Sequence, residues 1–219
     1  FALQLFCLIP LLQMYKVFFN QKPLILTNEI QEFSDSEPFM FIKYSNAGQI
    51  IKALKSTKNN KVYLYHKNMD KLWKTFIKQF PVIEAAGGLV ERTDNKLLFI
   101  FRNNKWDLPK GGVEKNELII DAAKREVTEE TGVADLIVQN KLSETYHIFK
   151  KGKRFRLKKT YWFRMSTNYT GQLQPQIEEG ILKTEWIPKD GIKDFLNDAF
   201  ENIRIIVLEV LDSNLFRNK

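Results

Sequence analysis

The sequence is poor in cysteine and histidine, and this scarcity excludes several kinds of site. Cys7 is the single cysteine, so no intrachain disulfide can form, which fits a reducing compartment. His66 and His147 have no cysteine or histidine partner at metal-ligand spacing, so we expect both to be structural. We also find no internal repeat, no nucleophile-elbow sequence and no phosphate-loop Lys-Ser/Thr motif.

The chain also has no long apolar run at its start. Residues 1–13 are apolar and uncharged, but a membrane span needs about 20 residues. No basic segment precedes them and no clear small-residue cleavage site follows, whereas Met14 has the features of a natural start. We therefore expect a cytoplasmic protein without a membrane partner, in which residues 1–13 are an extension that need not be natural. A cut signal peptide is the alternative.

Positive charge is in excess. The 34 lysines and arginines outnumber the 26 acidic residues, which gives a net charge of +8. This excess favours an anionic partner, namely a phosphorylated small molecule, nucleic acid or an acidic membrane surface, without choosing among them. Hydrophobic residues make up 44% of 219, enough for a sizeable core in one large domain or in a domain with a smaller one.

Three glutamates share one face of a predicted helix. Glu126, Glu129 and Glu130 stand at i, i+3 and i+4, so their carboxylates lie on one side and repel one another. The segment 109–112, Pro-Lys-Gly-Gly, precedes the helix, and a glycine turn lets the backbone approach a ligand closely. Hard oxygen ligands beside such a turn suit Mg²⁺, with Mn²⁺ as the alternative. The competing interpretation is a solvated acidic helix face.

The ends of this helix can also be predicted. Asn116 or Glu117 is expected to cap its start, and Gly132 is expected to end it. Arg125 is expected to pair with Glu117 or Glu129, and so to hold the preceding loop against the helix. One stripe of the helix is expected to face the core: Ile120, Ala123 and Val127.

The stretch from Gly111 to Val133 closely resembles the Nudix box. That motif is Gly, five residues, Glu, seven residues, then Arg-Glu-apolar-any-Glu-Glu-any-Gly-apolar. Because residue identity and spacing are constrained together, the match is specific. All nine fixed positions agree: Gly111, Glu117, Arg125, Glu126, Val127, Glu129, Glu130, Gly132 and Val133.

The resemblance covers about residues 81–212 and implies an α/β fold, a Nudix-type α/β/α sandwich with a mixed sheet. We assign residues 81–219 to this hydrolase domain and residues 14–80 to a small α+β domain before it. No chemistry is evident in the smaller domain. Three roles stay open for it: positioning the substrate, forming a homodimer, or covering one face of the catalytic domain.

The resemblance also implies a reaction, the hydrolysis of a phosphoanhydride by water with a divalent cation. The implied metal ligands are Glu126, Glu129 and Glu130, together with the carbonyl of Gly111. One of these glutamates, or an acidic residue of the later Glu-Glu-Gly segment, is the expected general base. In that segment Glu179 is favoured over Glu178, and the alternative interpretation is that either is a surface carboxylate.

Basic residues are the expected phosphate ligands. Lys110 lies beside the motif, and the run from Lys150 to Lys159 is the most basic in the chain. In a strand, Arg154, Arg156 and Lys158 would share one face, as a cationic surface for a polyphosphate. A solvated outer strand face is the alternative interpretation.

The substrate is the least determined feature. The proline that marks ADP-ribose-cleaving relatives is missing, because no proline occurs from Ala134 to Gln174. The Pro-Lys-Gly-Gly segment that leads into the motif and the basic run from Lys150 to Lys159 favour a highly phosphorylated small molecule as the substrate, such as a dinucleoside polyphosphate or a diphosphoinositol compound. Nucleic acid is a less favoured partner. The rival hypotheses are a non-catalytic Nudix-like regulator that binds nucleotide or RNA, and a diphosphate isomerase, for which Cys7 is badly placed.

Overall fold

The computed structural model describes residues 14–30 and 34–217, so the expected extension over residues 1–13 lies outside the described part. The chain forms two compact units. Of the described residues, 14–17 and 22–79 belong to the first unit, and 18–21 and 80–217 belong to the second. Within the described residues, none of the helices has the length and apolarity to cross a membrane.

The first unit is built on parallel strands. Strand β1 (Tyr15–Phe19) belongs to it as far as Val17. Its other elements are β2 (Lys22–Thr27), β3 (Phe39–Phe41), α1 (Ala47–Lys55), β4 (Val62–Tyr65) and α2 (Met69–Gln79). Strands β2 and β3 both pair in parallel with β4. Because α1 follows β3 and α2 follows β4 after short connections, both helices begin near the carboxyl ends of these strands.

The second unit contains the motif. Its strands are β5 (Val82–Arg92), β6 (Lys96–Arg102), β7 (Lys105–Asp107), β8 (Lys110–Gly112), β9 (Ile137–Lys141), β10 (Thr145–Lys151), β11 (Arg154–Thr167) and β12 (Lys183–Pro188). Its helices are α3 (Ile119–Thr131), α4 (Ile192–Phe195) and α5 (Glu201–Arg217). The main strand order is β12-β6-β5-β11-β10. Strand β11 runs parallel to β5, whereas β10 and β12 are antiparallel to their neighbours, so the sheet is mixed.

Helices cover both faces of this sheet. Successive strand residues point to opposite faces, so Leu97 and Phe99 belong to one buried cluster and Leu98 to the other. The same alternation separates Leu89 from Val90 on β5. The helix residues that complete the two clusters are Ala122, Ala123 and Val127 of α3 on one face, and Ile203, Ile206, Val207 and Val210 of α5 on the other. The predicted α/β/α sandwich with a mixed sheet is confirmed.

Candidate active site

Helix α3 carries the three glutamates, and its ends differ partly from the prediction. The helix ends at Gly132, which has φ of 75° as predicted, but the residue that precedes its start is Leu118 without a side-chain cap. The predicted cap by Asn116 or Glu117 is wrong, because Glu117 accepts hydrogen bonds from the Glu114 amide and from Arg125 instead. In the predicted buried stripe Ala123 and Val127 are buried, but Ile120 is 39% exposed.

Glu126 lies against the backbone at Gly111. A methyl group at Gly111 would stand 1.9 Å from Glu126 Oε2 and 2.2 Å from its Cδ, so only glycine leaves room for this carboxylate. The Glu126 side chain is almost fully buried. Burial raises the pKa of Glu126, and the neighbouring charges of Glu129 and Glu179 raise it further against the opposing effect of Arg125.

Arg125 fastens the helix to the loop before it. Its Nε donates to Glu117 Oε1 at 2.7 Å, and its Nη2 donates to the Gly112 carbonyl at 2.9 Å. Its Nη1 donates to Glu126 Oε1 at 2.8 Å and to Glu129 Oε2 at 3.0 Å. The predicted pairing of Arg125 is therefore confirmed with both partners. Across residues 14–30 and 34–217, no three acidic, histidine or cysteine side chains are grouped around one point, and Arg125 connects two of the three carboxylates.

Glu130 points to the interior and is fully buried. Its Oε2 accepts a hydrogen bond from the backbone N–H of Lys110 at 2.7 Å. Its Oε1 has no hydrogen-bond partner among the described residues and stands 3.8 Å from Arg102 Nη1. Burial raises the pKa of Glu130 to about 7, although the Lys110 and Arg102 charges oppose the shift.

Glu130 belongs to a buried ion-pair cluster with Arg102, Asp107 and Lys110. Asp107 Oδ2 accepts from Arg102 Nε at 3.0 Å and from Lys110 Nζ at 2.5 Å. Burial lowers the pKa of Lys110 to about 8, as does the charge of Arg102. Burial raises the pKa of Asp107, but Lys110 and Arg102 outweigh it, so the net shift is downward. The cluster thus combines two basic and two acidic side chains, each within reach of a partner of the opposite kind.

Arg102 was not predicted from the sequence, and Asp107 was predicted only as part of the segment before the motif that resembles the metal and phosphate site of the family. They meet because β6 and β7 pair as a hairpin, with Ile100 opposite Asp107 and Arg102 opposite Lys105. The only sequence signal for their meeting was the two-residue Asn103-Asn104 turn between two short apolar segments, which indicates a hairpin but no functional role.

A cavity of about 240 Å³ opens beside the cluster. It is lined by Asn20, Arg102, Asn103, Asp107, Lys110, His147, Phe149, Lys158, Thr160, Phe200 and Asn202. Of the predicted phosphate ligands, Lys110 lines this cavity, whereas Arg154 and Arg156 do not. Lys158, on the same face of β11, does line it, and it has no ion pair among the described residues. Burial lowers the pKa of Lys158, and the charge of Arg102 adds to that effect.

Glu179 lies at the end of a 3₁₀ turn, Ile177–Glu179, and is exposed. Its charge raises the pKa of Glu126 and also acts on Arg102 and Lys158, so it is within electrostatic reach of the helix face and of the cavity. None of these shifts has Glu178 among its causes.

His147 lines the cavity as a neutral ring. Its Nε2 accepts a hydrogen bond from the Asn20 N–H at 3.2 Å, which assigns the ring proton to Nδ1. Burial lowers the pKa of His147 to about 4, and the positive charge of Lys158 contributes to the shift.

This shift predicts an acid-sensitive folded state. The folded-state pKa of His147 is below the unfolded value of about 6.5, so the unfolded chain binds a proton first as the pH falls. Stability from the neutral ring is full above pH 6.5 and is lost between pH 6.5 and 4, with roughly 2 kcal/mol gone by pH 5. Urea unfolding of the wild type and of His147→Gln at pH 7.5 and at pH 5 measures the fall in the free energy of unfolding between these two pH values. The fall should be about 2 kcal/mol smaller in His147→Gln than in the wild type. Equal falls in the two proteins would contradict the assignment of a buried neutral ring.

Comparison with known proteins gives one family. The model of the NUDIX domain matches residues 82–207. An RNA pyrophosphohydrolase of Pelagibacter ubique is 29% identical over 157 residues, which cover 60% of this chain and 95% of that protein. An RNA pyrophosphohydrolase of Bartonella henselae is 32% identical over 82 residues, 32% of this chain but only 38% of that relative. A Caenorhabditis elegans Ap4A hydrolase structure aligns with TM-score 0.43 and 17% identity, over 63% of this chain and 99% of that one.

Proposed function

Because the chain belongs to the Nudix family and is a pyrophosphohydrolase, we propose that it cleaves a phosphoanhydride bond in a highly phosphorylated substrate with Mg²⁺, or with Mn²⁺ in its place. The proposed metal ligands are Glu126, Glu129, Glu130 and the Gly111 carbonyl. The observation that carries the proposal is the Oε1 atom of Glu130, a buried carboxylate oxygen without a hydrogen-bond partner among the described residues.

Two further features support a divalent ion at this helix face. Glu126 is buried beside a glycine that has no side chain to obstruct it. Oxygen ligands from carboxylates and a carbonyl are those that Mg²⁺ prefers. When bound, the ion supplies neutralisation of the phosphate charge and activation of the attacking water. Arg125 holds Glu126 and Glu129 in this structure, so its hydrogen bonds to both carboxylates would have to rearrange where they hold an ion.

The remaining chemistry belongs to the side chains. A general base has to accept a proton from water, and the candidates are the three α3 glutamates and Glu179. Glu129 is the most exposed of the three, with 48% of its side chain accessible, so it is reached from solvent most directly. Arg125 and Glu117 hold the loop against α3 and so position the carboxylates.

The cavity is proposed to hold the phosphates. Lys158 supplies the positive charge there, since Lys110 and Arg102 already share Asp107. We propose that Arg154 and Arg156, further along the same face of β11, contact only the part of a large substrate that extends beyond the cavity. Dinucleoside polyphosphates and diphosphoinositol compounds meet this description.

A second candidate substrate is the 5′-triphosphate end of RNA. It is favoured by the relatives, two of which are named RNA pyrophosphohydrolase. Such an end presents the same phosphoanhydride chain as a nucleotide, followed by a polyanionic strand.

A panel of substrates tests the proposal. Phosphate release with Mg²⁺ is measured on a dinucleoside polyphosphate, a diphosphoinositol compound, a 5′-triphosphate RNA, ADP-ribose and a nucleotide sugar. Wild type and Glu129→Gln are compared, and EDTA provides the metal-free control. We expect turnover of polyphosphate substrates that Glu129→Gln and EDTA both abolish. Equal background release in both proteins across the panel would support a nucleotide-binding regulator, and preference for a nucleotide sugar would reject the polyphosphate assignment.

Lys158 should act in binding more than in the chemical step. We expect Lys158→Met to raise KM about tenfold and to change kcat less than about twofold, because one charge-assisted contact to phosphate is lost. The matched control is Arg154→Met, which removes one cation of the same strand face outside the cavity. Steady-state kinetics on a dinucleoside polyphosphate measures both, and an equal rise in KM for the two variants would remove the special role of Lys158.

A further inference from the structure

The positive charge of the chain is concentrated in its first part. Residues 14–80 hold eleven lysines and five acidic residues, which is a net charge of +6 out of +8 for the whole chain. The catalytic part therefore contributes little of the excess. A basic segment of this kind attracts a polyanion.

A groove of about 640 Å³ lies within the first unit. It opens where β3 and β4 end, between the start of α1 and the length of α2. The carboxyl ends of parallel strands are a common place for ligand sites in such sheets. The groove is lined by Ile42, Lys43, Tyr44, Ser45, Asn46, Gln49, His66, Lys71, Lys74, Thr75 and Gln79.

The charges along this basic groove all have one sign. Lys43, Lys71 and Lys74 line it without any acidic residue, and none of the three has an ion pair among the described residues. His66 Nδ1 lies 2.9 Å from the Asn68 N–H and 3.0 Å from the Asn68 carbonyl oxygen, so this nitrogen is engaged by the chain's own backbone. At the start of α1 the Gln49 N–H donates to Asn46 Oδ1 and the Asn46 N–H donates to Gln49 Oε1, so two of the amides there are already engaged. The lysines are therefore the main anion-binding groups.

An aromatic ring stands at the same groove. Tyr44 is 72% exposed, which is unusual for so large a side chain, and Lys43 Nζ lies 5.2 Å from its ring centroid. A ring exposed beside lysines is the combination that binds a single strand, since the bases stack on the ring while the cations hold the phosphates.

We propose that the basic groove of the first unit binds single-stranded nucleic acid. A strand is favoured over a free nucleotide because eight of the eleven lysines in residues 14–80 do not line the groove, so the positive charge is not confined to it. The inference does not rest on the proposed catalytic function, since binding needs neither a phosphoanhydride nor a metal.

Fluorescence anisotropy of the full chain tests it, with a labelled 5′-hydroxyl RNA of about 12 nucleotides in EDTA. We expect the double variant Lys71→Gln/Lys74→Gln to weaken binding about tenfold or more and to make the slope of log K against log salt shallower by about 1.4. The matched control, Lys52→Gln/Lys78→Gln, removes the same charge from exposed positions of α1 and α2 outside the groove. It should weaken binding less than about threefold.

Two variants of Tyr44 test the role of its ring. Tyr44→Ala should weaken RNA binding about tenfold, and Tyr44→Phe should bind RNA as the wild type does. Equal losses in the two lysine pairs would show that only overall charge matters and would overturn the site. Unchanged binding in the groove variants, or displacement of the RNA by an equal concentration of ATP, would overturn it as well. Circular dichroism of each variant confirms that a loss of binding is not a loss of folding.

Discussion

Replacing Glu130 with glutamine is expected to lower kcat/KM about 10³-fold with little effect on folding. The loss follows if this carboxylate binds the catalytic ion, because an amide is a much weaker ligand for a hard cation. The fold should tolerate the change because the pKa of Glu130 is raised to about 7, so the folded protein holds the neutral carboxyl about as readily as the charged one at neutral pH. Glutamine copies that neutral form in shape.

Asp121→Asn is the matched control for this experiment. Asp121 is an exposed carboxylate of the same helix, and its replacement should leave activity within about twofold. Two readouts separate chemistry from folding: steady-state kinetics with Mg²⁺, and the melting temperature in EDTA and in Mg²⁺. Mg²⁺ should raise the Tm of the wild type and of Asp121→Asn, since it binds the folded state, but not that of Glu130→Gln. Retention of a tenth of the activity by Glu130→Gln would exclude Glu130 as an essential ligand.

Gly111→Ala is expected to give a folded protein with at least about 10²-fold lower kcat/KM. The new methyl group would overlap the carboxylate of Glu126, whose Oε2 stands 1.9 Å from the ideal position of that carbon. The overlapping atoms are the end of a flexible side chain, so Glu126 can rotate away and stability falls by only about 1–3 kcal/mol. Activity suffers more, because a displacement of about 1 Å at a catalytic group costs about 10²-fold.

Gly112→Ala shows whether the effect is specific. A methyl group at Gly112 meets nothing within 4 Å, and the same strand-like segment carries both glycines. We expect activity within about threefold of the wild type. Steady-state kinetics of Gly111→Ala and Gly112→Ala measure the loss of activity, and thermal unfolding of the two variants measures the loss of stability. If both lose activity equally, the backbone of this segment and not the space for Glu126 is what matters.

The motif predicted the helix, because helical periodicity is a local property. It also predicted the stop at Gly132, where a left-handed residue is required. It did not predict how the carboxylates are arranged: Glu130 is fully buried, Arg125 holds Glu126 and Glu129, and within the described residues no three such side chains are grouped around one point. It failed at the start, where Leu118 precedes the helix and Glu117 is engaged by Arg125. It placed Ile120 in the core, but tertiary packing buries Ala122 instead. Periodicity gives the angle between side chains, and only the neighbouring strands decide which side is covered.

The rest of the site depends on contacts between segments distant in sequence. Arg102 reaches Glu130 only because β6, β7 and β8 bring their ends beside α3. Alternation along β11 correctly grouped Lys158 with Arg154 and Arg156. The local sequence did not indicate which residue of β11 would reach the cavity, because the position of each residue along the sheet follows from the pairing of β11 with β5.

The buried ion-pair cluster also limits how the protein can diverge over generations. Asp107 accepts from Arg102 and Lys110 together, so a lineage that loses this carboxylate strands two cations away from water. That loss costs about 3–5 kcal/mol, against a total folding stability of about 5–15 kcal/mol for an ordinary domain. Descendants therefore have to exchange Arg102, Asp107 and Lys110 jointly, and a library that randomises one of these three positions at a time will recover mostly the parent residue.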